Sequence, residues 1–144
     1  MSLSNVFDIA GSAMNAQSIR LNTTASNLAN AESVSSSEGE TYRARKPVFA
    51  VRAPSADDYA ASASGQVPGQ GVEVREIIES DASLRMAYEP SHPLADENGY
   101  VYYPNVNVVE EMADMISASR SFQINAEIMN TAKQMLQRTL TLGE

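Results

Sequence analysis

LSNVFDIAGSAMNAQSIRLNTTASNLANA, residues 3–31, is the stretch whose reading decides the fold. Stepped alternately by four and three from Leu3, it runs Leu3, Phe7, Ala10, Met14, Gln17, Leu21, Thr24, Leu28, Ala31. That is the heptad spacing of a helix that pairs with another helix. One register (Phe7, Met14, Leu21, Leu28) is large and apolar throughout. The other (Ala10, Gln17, Thr24, Ala31) is small or polar. From Ser2 to Ala31 only Asp8 and Arg20 are charged. An exposed helix ordinarily carries a charged outer face. This one carries Ser, Asn, Thr, Gln and Ala, which suit close approach by other backbones.

The far end of the chain repeats the arrangement. Its series is Val108, Met112, Met115, Ser119, Phe122, Ala126, Met129, Lys133, Leu136, Leu140, with Val108, Met115, Phe122, Met129 and Leu136 as the large register. A seven-residue period sustained this long favours a left-handed supercoil. Asn107 is placed to cap this helix, with Glu110 three residues on in a capping-box-like position. Glu110, Glu111 and Asp114 sit at the positive end of the dipole, Lys133 and Arg138 toward the negative end, and Gly143 is placed to stop it. The predicted fold class is therefore α+β, with long N- and C-terminal helices paired as a coiled coil and a small β-rich middle domain. The expected segments are an N-terminal helix over 1–33, the middle over 34–104, and a C-terminal helix over 105–144.

Both helices also carry apolar residues off the seam: Ile9, Ala13, Ala16 and Ile19 in the first, Ala113, Ile124, Ile128 and Met135 in the second. A heptad stripe ordinarily means an intramolecular hairpin, and a two-helix hairpin buries one stripe of each helix. The middle is too short and polar to cover the remainder, so packing between subunits is expected. Within the middle, Thr41 to Arg52 (interrupted by Pro47), Val72 to Arg75, Leu84 to Tyr88 and Tyr100 to Tyr103 have strand character. Asp96-Glu97-Asn98-Gly99 reads as a hairpin turn. Ala53 to Gly71, rich in Ala, Ser, Gly and Pro, reads as a flexible loop.

The 144 residues carry a net charge of −8, one His, no Cys and no Trp, with an apolar share of 43%. That share excludes wholesale disorder. The acidic balance argues against nucleic-acid binding and anionic membranes. No run of about 18 apolar residues exists to insert in a membrane. The start, Met1-Ser2-Leu3-Ser4-Asn5, lacks the basic and apolar regions of a cleaved signal peptide. Without Cys there is no disulfide and no thiolate chemistry. His92, between Pro90 and Pro93, reads as a turn residue with no second His to share a metal. The acidic pairs Asp57-Asp58, Asp96-Glu97 and Glu110-Glu111 are explained by solvation and capping. No enzymatic activity, cofactor site or metal site is expected.

At Ala13 to Ala31, with Ser26-Asn27-Leu28-Ala29-Asn30 at its centre, the pattern resembles the flagellar basal-body rod, hook and hook-associated protein family. Pro104 to Met112, Ser117 to Gln123 and Asn130 to Leu142 look like that family's C-terminal helix. Tyr88 to Val101 is similar to one short member of it. The resemblance implies export through the flagellar type III apparatus without signal cleavage. It implies homo- and hetero-oligomeric assembly into the periplasmic proximal rod, with terminal helices inside and the middle outside. The implied partners are rod proteins of the FlgB, FlgF and FlgG types and a FliE-type adaptor at the rotor ring. The rod would transmit torque.

The expected function is thus a structural subunit. The other reading of the same helices is a soluble helical adaptor or chaperone-like binding module. The candidate subunit-interface residues are Phe7, Met14, Leu21, Asn27, Leu28, Asn30, Met115, Phe122, Ile124, Ile128, Met129 and Leu136. Asn27 and Asn30 either hydrogen-bond across neighbours or end the first helix.

Overall fold

The structure is a computed structural model that describes residues 3–53 and 71–141. Its elements in chain order are helix α1 (Leu3–Ala29), strands β1 (Arg45–Val51), β2 (Val72–Glu79), β3 (Arg85–Tyr88) and β4 (Tyr100–Tyr103), and helix α2 (Val108–Thr141). Two long terminal helices, with a small set of strands between them in the chain, make an α+β fold, as the sequence pattern predicts. The expected loop over 53–71 and the helix stop at Gly143 lie, apart from Ala53 and Gly71, outside the described residues.

The helix boundaries follow from side chains that satisfy orphan backbone groups. α1 has no glycine at its C-terminus. Instead Asn30 Nδ2 donates to the Ser26 carbonyl at 2.8 Å, and the Ser33 hydroxyl donates to the Asn30 carbonyl at 2.8 Å. The same two carbonyls also accept backbone N–H groups, from Asn30 at 3.2 Å and Ser33 at 3.1 Å, so side chain and backbone together close the last turn, and the helix ends at Ala29. At the start of α2, Asn107 Oδ1 accepts the Val109 N–H at 3.1 Å and the Glu110 N–H at 3.4 Å. That is the N-cap the sequence predicts. The Glu110 carboxylate goes to Lys46 Nζ at 2.7 Å, so only the Asn half of the capping box forms.

The strands form two two-stranded sheets, β1-β2 and β3-β4. β3 and β4 are antiparallel, with Arg85 opposite Tyr103, Met86 opposite Tyr102, Ala87 opposite Val101 and Tyr88 opposite Tyr100. The turn between them is tied by Asp96, whose Oδ1 accepts the N–H groups of Asn98 at 2.9 Å and Tyr100 at 2.8 Å. Gly99 there has φ +84°, the left-handed region that glycine enters without strain.

The chain divides into two compact units. The first comprises residues 1–19, 48–76 and 118–144. Its buried apolar residues are Ala10, Ala16, Ala118 and Ala132. In it the Ser12 hydroxyl accepts the Val72 N–H at 3.1 Å and donates to the Ile9 carbonyl at 2.8 Å. β2 begins so close to α1 that a Cβ on Gly71 would overlap the Ser12 side chain.

The second unit comprises residues 20–47 and 77–117. Val101, Ala31, Ala44, Asn27, Thr24 and Thr41 are buried in it. Arg20 on α1 bonds Asp114 on α2 at 2.7 Å. In this unit, then, the Arg20 guanidinium is bound to a carboxylate of its own chain.

Candidate assembly interface

Along α1 the residues on the buried side are Ala10 and Thr24 of the small register, joined by Ala16, Thr23 and Asn27, with Ala31 of the same register buried just past the helix end. Gln17, the remaining member, is half-buried with its Oε1 atom enclosed and unpartnered. The large register (Phe7, Met14, Leu21, Leu28) is half-buried throughout. Asp8, Asn15, Asn22 and Ala29, seven residues apart, form the exposed line.

α2 is rotated by one position from the predicted seam. Ala118 and Ala132 are buried, where the spacing predicted Ser119 and Lys133, and Lys133 is exposed. The physical reason lies in side-chain volume. Alanine facing a partner helix lets two backbones approach closely. The larger residues then stand beside the contact line. Met115 and Met129 are half-buried, while Phe122, Leu136, Ile124 and Ile128 are exposed.

Large apolar groups therefore remain at the surface of α2. In the second unit Val109 is 77%, Ile116 68% and Met112 50% exposed. In the first unit Ile124, Ile128 and Met135 line an open groove of about 420 Å³, with Leu3 and Val6 on its α1 side. Contiguous apolar patches, unlike scattered single residues, are characteristic of interaction sites.

The two asparagines take different roles from a contact between neighbours. Asn27 is 1% exposed. Its Nδ2 donates to the Arg45 carbonyl at 2.8 Å, and its Oδ1 accepts the Arg45 N–H at 2.9 Å and the Tyr42 hydroxyl at 2.8 Å. The amide thus pairs with Arg45 as a neighbouring strand would. Asn30 ends the helix, as described above. Sequence reasoning missed a third asparagine of this kind. Asn105 Oδ1 accepts the Ala44 N–H at 2.8 Å, and its Nδ2 donates to the carbonyls of Ser80 at 3.1 Å and Ala82 at 2.9 Å. The available signal was that Pro104-Asn105-Val106-Asn107 holds two asparagines, of which one suffices for the cap.

Glu111 is 3% exposed and lies in the first turn of α2, where the sequence reading placed it. The first turn of α2 favours negative charge there. Lys46 also lies in the field of Glu111. The hydrogen bond to Glu110 raises the Lys46 pKa above its usual value; partial burial opposes this, and Glu110, Glu111 and Asp114 reinforce it. His92 Nδ1 accepts the Leu94 N–H at 3.1 Å, a turn-stabilising role. Among the described residues no group of three or more His, Asp or Glu side chains could hold a metal, and no helix is long and apolar enough to cross a membrane.

Paired terminal helices with surplus apolar surface define the class of an assembling structural subunit. Residues 7–34 match the family model described as flagella basal body rod protein, and residues 97–142 match that of the flagellar basal body rod FlgEFG protein C-terminal region. The chain is 55% identical to the flagellar basal-body rod protein FlgC of Salmonella typhimurium over 144 residues, covering both chains completely. It is 51% identical to FlgC of Yersinia enterocolitica over the full length of each. With FlgC of Borreliella burgdorferi it shares 35% identity over 153 residues, covering 99% of this chain and 98% of the relative. The chain belongs to the flagellar basal-body rod protein family and is FlgC-like. It is a structural subunit of the basal-body rod, not an enzyme, and assembles with other rod components.

Proposed function

We propose that this subunit belongs to the proximal part of the rod, with α1 and α2 in the core of the tube and the strands outside. It reaches the periplasm through the flagellar type III export apparatus without a cleaved signal. There it meets rod proteins of the FlgB, FlgF and FlgG types and a FliE-type adaptor. The interface residues are Phe7, Met14, Leu21, Leu28, Met115, Phe122, Ile124, Ile128, Met129 and Leu136. Asn27 and Asn30 support it from within by holding the end of α1.

The single observation that carries this reading is the large apolar surface of α2, typified by Ile116, Ile124 and Ile128. Covering each such side chain contributes about 1.5–3 kcal/mol. Many helix contacts acting in parallel resist deformation, because close-packed interiors have low compressibility. That property is what torque transmission requires.

The test introduces Leu28→Asp, Met129→Asp and Ile116→Asp separately. Each variant is expected to be missing from purified basal bodies and to abolish motility, while the strand amides keep their hydrogen-exchange protection. Normal motility from all three would sink the interface. A defined one-to-one complex with a single rod protein, in place of a ring-like or open-ended stack, would mark an adaptor instead.

A further inference from the structure

The sequence holds one Asn-Gly pair, Asn98-Gly99, in the turn that leads into β4. Asn98 is exposed and Gly99 is buried. In such a pair the backbone nitrogen of the second residue can reach the side-chain carbonyl carbon of the first, because glycine has no Cβ to obstruct it. Every other asparagine of the chain is followed by Val, Ala, Thr or Leu, whose side chains crowd that approach.

The folded turn withholds this nitrogen. Gly99 N–H donates to the Asp96 carbonyl at 3.0 Å, and the Gly99 carbonyl accepts the Glu89 N–H at 2.9 Å. Asp96 Oδ1 fixes the flanking peptides through the N–H groups of Asn98 at 2.9 Å and Tyr100 at 2.8 Å. The Tyr88 ring and Pro90 stand against Gly99, within 2.9 and 3.1 Å of where a Cβ would be, so rotation of its peptide is obstructed. Attack also requires loss of the amide proton. The carboxylates of Asp96 and Glu97 oppose a further negative charge beside them.

We propose that Asn98-Gly99 is a deamidation site shielded by the Asp96-tied turn, open to modification only while that turn is open. Gly99 N gives up its proton and bonds to Asn98 Cγ. The Cγ–Nδ2 bond breaks, and ammonia leaves with that proton. Water then adds to either carbonyl of the five-membered imide, yielding aspartate or isoaspartate. Isoaspartate carries the main chain through its side-chain carbon and lengthens the backbone by one atom. That extra atom displaces Gly99 N–H from the Asp96 carbonyl, or Tyr100 N–H from Asp96 Oδ1, since both bonds need close geometry. A carboxyl methyltransferase that recognises isoaspartyl peptides is the class of enzyme that reads this product. The proposal is independent of the rod-subunit reading, because the reaction needs only this chain and water.

The test incubates the purified full chain in mildly alkaline buffer, folded and in urea, and follows it by tryptic digestion and mass spectrometry. Residues 86–120 contain no Lys or Arg before Arg120, so one peptide holds Asn98 together with Asn105 and Asn107, each before Val, as internal references. In urea Asn98 should convert first, with a gain of one mass unit and isoaspartate that the methyltransferase labels. In the folded chain its conversion should be at least about tenfold slower, because reaction awaits opening of the turn. Asp96→Ala should narrow that gap at least about threefold while the helical circular dichroism is kept, whereas a merely solvated Asp96 would leave the gap unchanged. Equal rates for the folded and the urea-treated native chain, conversion of Asn105 or Asn107 ahead of Asn98, or an undiminished gap in folded Asp96→Ala would each overturn the proposal. Should Asp96→Ala lose its helical signal, hydrogen exchange at the Gly99 amide of the native chain decides. Protection of at least about tenfold is expected there, and unprotected exchange overturns the shielding.

Discussion

The side chain of Asn27 holds Arg45 by both backbone groups, donating to its carbonyl at 2.8 Å and accepting its N–H at 2.9 Å. The end of α1 is thereby fastened to the start of β1. Replacement by alanine removes both bonds and the Tyr42 bond, and leaves the part-buried Arg45 N–H and carbonyl without the partners they have in the native chain. We expect Asn27→Ala to cost about 2–4 kcal/mol, at the strong end for a single buried polar side chain. Urea unfolding of the full chain measures it. A loss under about 0.5 kcal/mol would mean that water or a neighbouring side chain takes over the role.

The alanine line and the exposed apolar line of α2 should respond in opposite ways. Ala118 is fully buried, and leucine there forces the helices apart, at a cost of about 1–3 kcal/mol to the isolated chain. Ile116, two residues away and 68% exposed, should tolerate alanine within about 0.5 kcal/mol. Yet Ile116→Ala should reduce incorporation into basal bodies, because its surface is used there. Thermal unfolding of the free chain and quantitative immunoblotting of basal bodies separate the two effects.

Gly99 combines a left-handed backbone with a close neighbour. A Cβ there would lie 2.9 Å from the Tyr88 ring and 3.1 Å from Pro90 Cβ. The backbone term alone costs about 1–2 kcal/mol. Gly99→Ala should therefore destabilise the β3-β4 hairpin and turn the Tyr88 ring. Loss of the tyrosine near-UV signal and faster exchange at Tyr100 are the expected readouts.

The Lys46–Glu110 pair predicts a small alkaline effect. Because the folded-state pKa of Lys46 is raised above 10.5, its contribution is complete below that value and is lost as pH rises through the folded pKa. Both side chains are about half exposed (50% and 55%), so solvent screening limits the contribution to about 0.3 kcal/mol. Lys46→Gln should remove this part of the pH dependence above pH 10.5 and leave stability at neutral pH within about 0.5 kcal/mol. Unfolding curves across that range check it.

Periodicity, capping and turn chemistry are local properties, and the residues that express them were legible in the sequence. The heptad series from Leu3 and from Val108, the cap at Asn107 and the turn at Asp96 to Gly99 all needed only neighbours along the chain. The off-seam residues Ile124, Ile128 and Met135 likewise announced an excess of apolar helix, because no covering segment existed to bury them. The centre of the helix contact was not legible. A stripe of large residues and a stripe of small ones share the same heptad spacing, and only the helix approach decides which faces inward. Here Ala10, Ala118 and Ala132 take that place, and Phe7, Phe122 and Leu136 stand aside. Asn27 and Asn105 were obscure for the same reason. An amide that pairs with a backbone segment distant in sequence leaves no local mark. The sequence alone therefore determined the elements and their need for company. Tertiary structure determined which groups meet, since close approach depends on the volumes of both partners at once.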